Sequence, residues 1–182
     1  MASGTDIDTL KACRDLVEWA TGTAGTPGRI YEHEGSSLED AGGNVPTDER
    51  YSNSASSDST NYVAIIRGWI YPSNAPPFNG QRLPIEIRVP DGYPAEPPEV
   101  YMRIQLRHPN IEKNGQICTE LLDPETEYED MSLIEVVQLV VKLMKEPETD
   151  SGVDTEALCL YEEDQSTYNQ NITAAVMAQV QR

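Results

Sequence analysis

Three β-rich segments in the middle of the chain, residues 62–70, 83–89 and 100–106, constrain the fold more than any other feature. The second and third alternate apolar and polar residues, which is the period of a strand with one buried face. The connections between them, PSNAPPFNGQ and PDGYPAEPP, are rich in turn-forming residues. Successive strands joined by short turns predict an antiparallel meander of three or four strands.

Helical patterns flank these strands on both sides. Thr5 can cap an N-terminal helix that carries one apolar stripe and ends at Gly22. Ser132 and Glu135 form a capping box at the entry to a second helix, which Pro147 ends. That second helix is apolar around most of its circumference, so we expect it to be buried.

Two further helices are predicted near the C-terminus, over residues 155–161 and from residue 166 onward. The order is a helix, a run of strands, a long irregular stretch and then helices. This order predicts an α+β fold in which helices pack beside one sheet, and we expect residues 1–182 to form a single domain.

Residues 33–61 differ from the rest of the chain in composition. They are rich in serine, glycine and acidic residues and contain few large apolar side chains. Such a segment cannot offset its ordering entropy by burial. We interpret it as a mobile, low-complexity acidic loop inserted between two strands, with a docking segment for a partner as the alternative.

The overall charge and the cysteines exclude several classes of protein. A formal charge of −18, from 31 acidic and 13 basic residues, repels phosphate backbones and argues against nucleic acid as a partner. The N-terminus lacks the features of a signal peptide, and no apolar stretch is long enough to span a membrane. Three scattered cysteines and two histidines indicate neither a disulfide framework nor a zinc site. We therefore expect an intracellular protein, with Cys13 and Cys159 as small core residues on apolar helical faces.

The segment HPNIEKNGQIC, residues 108–118, contains the chemically most distinctive residues. Cys118 and His108 could form a nucleophile and base pair, or they could be a buried thiol and a histidine that bonds a turn. An Asn-Gly turn signal precedes the cysteine, so we expect Cys118 to be reachable from solvent. The amide of Asn110, held rigidly after a proline, is the kind of group that can stabilise an oxyanion.

The chain resembles the ubiquitin-conjugating enzymes in the sequence HPNI followed by G-x-I-C, with eight residues from the asparagine to the cysteine. The upstream stretch GWIYPSNAPPFNGQRLPIEIRVPDGYPAEPPEVYM and the long apolar helix downstream are also similar to that family. The resemblance covers residues 62–182 together with the first helix. It implies the family's fold, a four-stranded antiparallel meander flanked by an N-terminal helix, a buried central helix and C-terminal helices.

The resemblance also implies roles for single residues. Cys118 would accept the C-terminal carboxyl of the modifier from the activating enzyme and hold it as a thioester. Asn110 would stabilise the oxyanion or order the loop that shapes the site, and both readings stay open. Asp150 stands where the family has an acid that orients or deprotonates the incoming lysine, although a solvated turn acid is the alternative. Glu120 stands beside the site where many members have aspartate.

Other residues of the motif are implied to support the site or to contact partners. His108 and Pro109 would hold the turn that places the asparagine, and Tyr93 of the Tyr-Pro loop would pack. The family's partner surfaces correspond here to residues of the first helix, of the Tyr-Pro loop and of the loop after the cysteine, which are Lys11, Arg14, Ala95, Glu127 and Tyr128.

The chain departs from the family pattern on those partner surfaces. Thr119 replaces the usual leucine, and DPETEYED, residues 123–130, lacks the usual tryptophan and Ser-Pro ending. Ala95 replaces a large apolar ligase contact, and the first helix is less basic than is usual for docking the activating enzyme. The chain therefore lacks several residues of the family's usual ligase surface.

Three functions remain open from the sequence. The first is an enzyme that conjugates ubiquitin to substrate lysines, with or without a ligase. The second is the same chemistry with another ubiquitin-like modifier, or a specialised peroxisomal-type member. The third is a non-catalytic interaction module, against which the intact cysteine and His-Pro-Asn turn argue. The chemistry implies no cofactor, and we expect a cytoplasmic or nuclear location, with peroxisome association as a minor alternative.

Overall fold

The computed structural model describes residues 4–38, 62–118, 122 and 131–180. The elements in these ranges, in chain order, are α1 (Gly4–Gly22), β1 (Tyr31–Leu38), β2 (Tyr62–Ile70), β3 (Leu83–Pro90), β4 (Glu99–Met102), α2 (Leu133–Lys145), α3 (Thr155–Glu163) and α4 (Gln165–Val180). The strands pair antiparallel in the order β1-β2-β3-β4. The predicted α+β fold with a four-stranded meander is confirmed.

One face of the sheet forms the core together with the helices. Residues of β2 and β3 lie opposite each other across the strands, as do Ile66 and Ile87, or Gly68 and Ile85. Helix α2 covers this core, and its buried residues are Leu133, Val136, Val137, Val140, Val141, Leu143 and Met144. The capping box is confirmed, because Ser132 Oγ accepts from the backbone N–H of Glu135 and the Glu135 carboxylate accepts from the N–H of Ser132.

The opposite face of the sheet is lined by paired charges and aromatic rings. Glu86 is buried between Arg67 and Arg88, whose Nε atoms lie 3.0 and 2.9 Å from its carboxylate oxygens. Burial alone would raise the pKa of Glu86, but the hydrogen bonds from the two arginines outweigh it and leave that pKa lowered. The Arg88 guanidinium also lies 4.3 Å from the ring centroid of Tyr101. Charged and aromatic groups therefore pack against one another on this face.

Two predicted boundaries are wrong. Residues 33–38, predicted as the start of the inserted loop, belong to β1, where cross-strand pairing with β2 outweighs their polar composition. Residues 39–61 lie outside the described part of the chain. Strand β4 ends at Met102 rather than at residue 106. At this end the Met102 N–H donates to Gly115 O (2.8 Å), while the Arg103 N–H continues the pairing with β3 by donating to Pro84 O (2.9 Å).

No helix within the described ranges is both long and apolar enough to cross a membrane.

The sheet contains one position where only glycine fits. A Cβ added at Gly68 would lie 2.6 Å from Tyr31 Cζ. The Tyr31 ring cannot easily move aside, because it is fully buried and stacks against Trp19 at 6.2 Å between ring centroids.

We expect Gly68→Ala to lower the free energy of unfolding by about 1–3 kcal/mol, the usual cost of overpacking a core. Gly35→Ala in the neighbouring strand is the matched control, because a Cβ at Gly35 meets no atom within 4 Å. Urea denaturation of both variants checks this. Equal stabilities of the two variants would contradict the packing described here.

Candidate active site

His108 is fully buried at the start of a tight turn after the sheet. Its Nδ1 accepts the backbone N–H of Asn110 at 3.1 Å, and its Nε2 lies 3.0 Å from Leu143 O. An N–H that donates to Nδ1 places the ring proton on Nε2, which donates to the carbonyl of α2. Burial lowers the pKa of His108 to about 4, so the ring is neutral near pH 7. Both ring nitrogens are thus engaged in hydrogen bonds, and neither is available as a base for Cys118.

The side chain of Asn110 is fully buried and joins the turn to residues 148–151. Its Oδ1 accepts the backbone N–H of Glu148 at 2.8 Å. Its Nδ2 donates to Glu148 O at 2.7 Å and to Ser151 O at 3.4 Å. All polar atoms of the amide are occupied, which favours the loop-ordering reading of this residue over the oxyanion reading.

Asp150 lies in the segment that Asn110 holds. The backbone atoms of its neighbours Glu148 and Ser151 carry the bonds to the asparagine, and the side chain of Asp150 itself is exposed. Further along, the N–H groups of Val153 and Asp154 donate to Pro109 O at 2.7 and 3.1 Å. The segment 148–154 is therefore tied to the His-Pro-Asn turn at both of its ends.

Cys118 is attached to the same turn through its backbone. Its N–H donates to Asn110 O at 2.9 Å, and the preceding Ile117 N–H donates to Val100 O at 2.8 Å. The expectation that Cys118 is reachable from solvent is wrong for this conformation, because the residue is 3% exposed. The segment around it pairs with both the sheet edge and the His-Pro-Asn turn.

The predicted Asn-Gly turn before the cysteine is present. The Gly115 N–H donates to Glu112 O at 2.9 Å, and Asn114 Oδ1 accepts the N–H of Gln116 at 2.9 Å. Gly115 has a φ of 91°, and an added Cβ would lie 2.7 Å from Met102 O. Glycine is therefore required at this point, where the chain turns to bring Cys118 beside Asn110.

The other two cysteines differ from each other. Cys13 is buried on α1 as predicted, and burial raises its pKa to about 11. The prediction that Cys159 is a core residue is wrong, because Cys159 is exposed. The short helix α3 places Ala157 in the interior and leaves the position two residues later facing solvent.

The remaining predicted residues belong to other parts of the fold or lie outside the described ranges. Tyr93 is buried and its hydroxyl donates to Met131 O at 2.9 Å. Ala95 and Lys11 are exposed, and so is Arg14, whose Nε lies 4.0 Å from Glu18 Oε1. The structure does not describe the part of the chain that contains Glu120, Glu127 and Tyr128.

The sequence analysis missed one cluster beside the turn. Arg107 makes two hydrogen bonds to the carboxylate of Asp154, at 2.5 and 2.8 Å, and a third to Glu156 at 2.8 Å. Asp154 is the N-cap of α3, and an aspartate before a helical run was a signal that could have identified it. Its arginine partner, 47 positions away, had no local signal.

Among the described residues, no three His, Cys, Asp or Glu side chains are grouped closely enough to hold a metal ion.

Comparison with known proteins identifies the family to which this chain belongs. A sequence profile of the family described as Ubiquitin-conjugating enzyme matches residues 43–176, which is most of the chain. The chain belongs to the ubiquitin-conjugating enzyme family. It is similar to the "Ubiquitin-conjugating enzyme E2 pex4" of Dictyostelium discoideum, with 36% identity over 103 residues, 56% of this chain and 65% of that protein. It also resembles the "Ubiquitin-conjugating enzyme E2-18 kDa" of Schizosaccharomyces pombe, with 28% identity over 104 residues, 50% of this chain and 63% of that protein.

The matched stretch thus spans a little less than two thirds of each of these two relatives. The fold is also shared with a solved Plasmodium yoelii structure assigned provisionally to the ubiquitin conjugating enzymes. That likeness has a TM-score of 0.66 at 17% identity and covers 98% of this chain and 96% of the other. At this identity the structural likeness shows the fold alone.

The buried His108 makes stability depend on pH in a predictable window. Its folded pKa of about 4 lies below its ordinary value of 6.5, so the unfolded chain binds the proton more readily. The stability that comes from the neutral ring is therefore present above pH 6.5 and is lost as the pH falls toward 4.

We expect the free energy of unfolding to fall more steeply between pH 7.5 and 5 in the unmodified protein than in His108→Gln. His33→Gln is the control, because burial also lowers the pKa of His33 but that side chain is only partly buried. Urea denaturation at both pH values gives the comparison. The same pH dependence with and without His108 would refute the assignment of a buried neutral ring.

Proposed function

We propose that this chain is an active conjugating enzyme that carries ubiquitin, or a ubiquitin-like modifier, as a thioester on Cys118. The observation that carries the proposal is the bond from the Cys118 N–H to Asn110 O, because it joins the thiol-bearing residue to the buried turn that also holds residues 148–151. A single network thus connects the acyl carrier to the segment that bears Asp150.

The proposed reaction has two acyl-transfer steps. In the first, the Cys118 thiolate attacks the thioester carbonyl of the modifier on the activating enzyme, and the thiolate of that enzyme leaves. In the second, a substrate lysine amine attacks the new thioester, an isopeptide bond forms, and the Cys118 thiolate leaves. The thioester is already activated, so the chain contributes position and electrostatics rather than a strong base. Because Cys118 is 3% exposed, the proposal requires that binding of the activating enzyme uncovers the thiol.

The second step requires a lysine that has lost its proton. Partial desolvation lowers the pKa of a lysine, whereas a carboxylate such as that of Asp150 favours the charged form and acts by orienting the amine or accepting its proton. We propose that Asn110 positions Asp150 for this task, since its amide bonds to the backbone on both sides of that residue. Glu120 stands as a second acid beside the site in this proposal.

The choice of modifier and partners is also proposed from the comparisons. The 36% identity to the pex4 protein favours a specialised, peroxisome-associated conjugating enzyme as the second candidate to a general ubiquitin carrier in the cytoplasm or nucleus. The exposed Ala95 offers a ligase no large apolar contact, so the chain would need a dedicated ligase or act directly on lysine-rich substrates.

Cys118→Ala should abolish charging with the modifier in the presence of ATP and the activating enzyme. Cys118→Ser should form an adduct more slowly, and that adduct should survive thiol reductant, because an oxyester replaces the thioester. Gel electrophoresis with and without reductant measures both. Cys159→Ser is the matched control, since Cys159 is the exposed cysteine among the three, and it should charge normally. Charging of Cys118→Ala would contradict the proposal.

Asp150→Ala should charge at the normal rate and discharge to free lysine about ten- to a hundredfold more slowly, which corresponds to about 1.4–2.7 kcal/mol of barrier. Single-turnover discharge of the purified thioester measures the rate. Glu146→Ala, which changes another exposed acid close by, is the control and should discharge normally. A normal rate for Asp150→Ala would show that Asp150 is only a solvated turn acid.

Asn110→Ala should lose both discharge and thermal stability, because it removes three buried hydrogen bonds.

A further inference from the structure

Arg107 connects the His-Pro-Asn turn to the start of α3. Its guanidinium makes hydrogen bonds of 2.5 and 2.8 Å to the two carboxylate oxygens of Asp154 and a third, of 2.8 Å, to Glu156. The three side chains differ in exposure, which is 51% for Arg107, 5% for Asp154 and 75% for Glu156. The pair with Asp154 is therefore shielded from water on one side, whereas the contact with Glu156 lies at the surface.

The shielded pair is the stronger of the two interactions. A bidentate arginine–carboxylate pair with a buried carboxylate is charge-assisted and geometrically specific, and removing its cation leaves an uncompensated buried charge. An exposed ion pair such as that with Glu156 contributes little. The hydrogen bonds from Arg107 lower the pKa of Asp154, so the carboxylate is ionised near pH 7.

Asp154 makes two further connections at the same point. Its carboxylate accepts the Ala157 N–H at 3.1 Å and so caps α3, and its own N–H donates to Pro109 O at 3.1 Å. The downstream end of the segment 148–154 is therefore held to residues 107–109. Its upstream end is held by the Asn110 amide through Glu148 and Ser151.

We propose that Arg107 is a positioning residue for acyl transfer, whose ion pair with Asp154 holds the downstream end of the segment that presents Asp150 to a lysine approaching Cys118. Asn110 holds that segment from the upstream end, and the N–H groups of Val153 and Asp154 donate to Pro109 O at the downstream end. The ion pair adds a side-chain attachment at the downstream end, and this further restricts the position of the exposed Asp150. This inference rests on the proposed function and adds a residue to it.

Arg107→Gln should charge normally and discharge to free lysine about tenfold more slowly, through kcat rather than KM for lysine. Asp154→Asn should show the same defect, because asparagine keeps the N-cap of α3 but removes the charged partner. Glu156→Gln is the matched control and should discharge normally. Arg107→Lys should recover part of the rate, since lysine supplies the charge without the two-pronged geometry.

A double-mutant cycle separates positioning from general stability. If Arg107 acts through Asp150, then Arg107→Gln should cause no further loss in an Asp150→Ala background. Independent losses that multiply in the double variant would overturn the proposal. Equal slowing of charging and discharge in Arg107→Gln would also overturn it.

Backbone hydrogen exchange tests the same idea without any activity. The amides of residues 148–153 should exchange faster in Arg107→Gln and in Asp154→Asn than in Glu156→Gln. Unchanged exchange would refute the role of Arg107 even in a protein that charges on Cys118. Faster exchange in a protein that never charges would refute the proposed function instead, so the two failures can be distinguished.

Discussion

Asn110 is the residue on which the rest of the site depends. Its backbone N–H donates to His108 Nδ1, and its carbonyl accepts the N–H of Cys118. Its side-chain amide exchanges hydrogen bonds with the backbone of Glu148 and donates to Ser151 O. One fully buried residue thus joins the imidazole of the turn, the backbone of Cys118 and the segment that bears the exposed Asp150.

This network is stable only because each of its polar groups has a partner. A buried donor or acceptor without one costs several times the net contribution of a hydrogen bond, so a substitution at any member affects the others. The neutral His108 follows the same rule, because its Nδ1 accepts the Asn110 N–H and its Nε2 donates to Leu143 O. A second proton on Nδ1 would face the Asn110 N–H and have no acceptor. If the Asn110 amide stabilised an oxyanion, it would first have to release a carbonyl of residues 148–151.

The ion pair of Arg107 with Asp154 gives a buried charged group a partner in the same way. The segment 148–154 is attached to Arg107, Pro109 and Asn110, which lie within four residues of one another. The intervening His108 bonds the carbonyl of Leu143 in the buried helix α2. The imidazole of His108 therefore links the turn to helix α2, whose apolar residues are buried in the core. In a chain of formal charge −18, pairing with a cation also keeps the Asp154 carboxylate in place beside other acids.

The sequence by itself determined the elements whose local pattern agrees with their surroundings. Strands β2 and β3, the capping box of α2 and the Asn-Gly turn before Cys118 each had a residue pattern that tertiary contacts reinforce. The cysteine and the His-Pro-Asn turn were also identified from the sequence, because the motif is contiguous.

Only the tertiary structure decided the rest. The polar β1 exists because β2 supplies its hydrogen bonds. Residues 115–117 pair with the edge of β4, and Cys118 is buried although a turn signal precedes it. The pairs of Arg107 with Asp154 and of Asn110 with Glu148 join residues 47 and 38 positions apart, and hydrogen bonding over such separations leaves no periodic trace in a sequence.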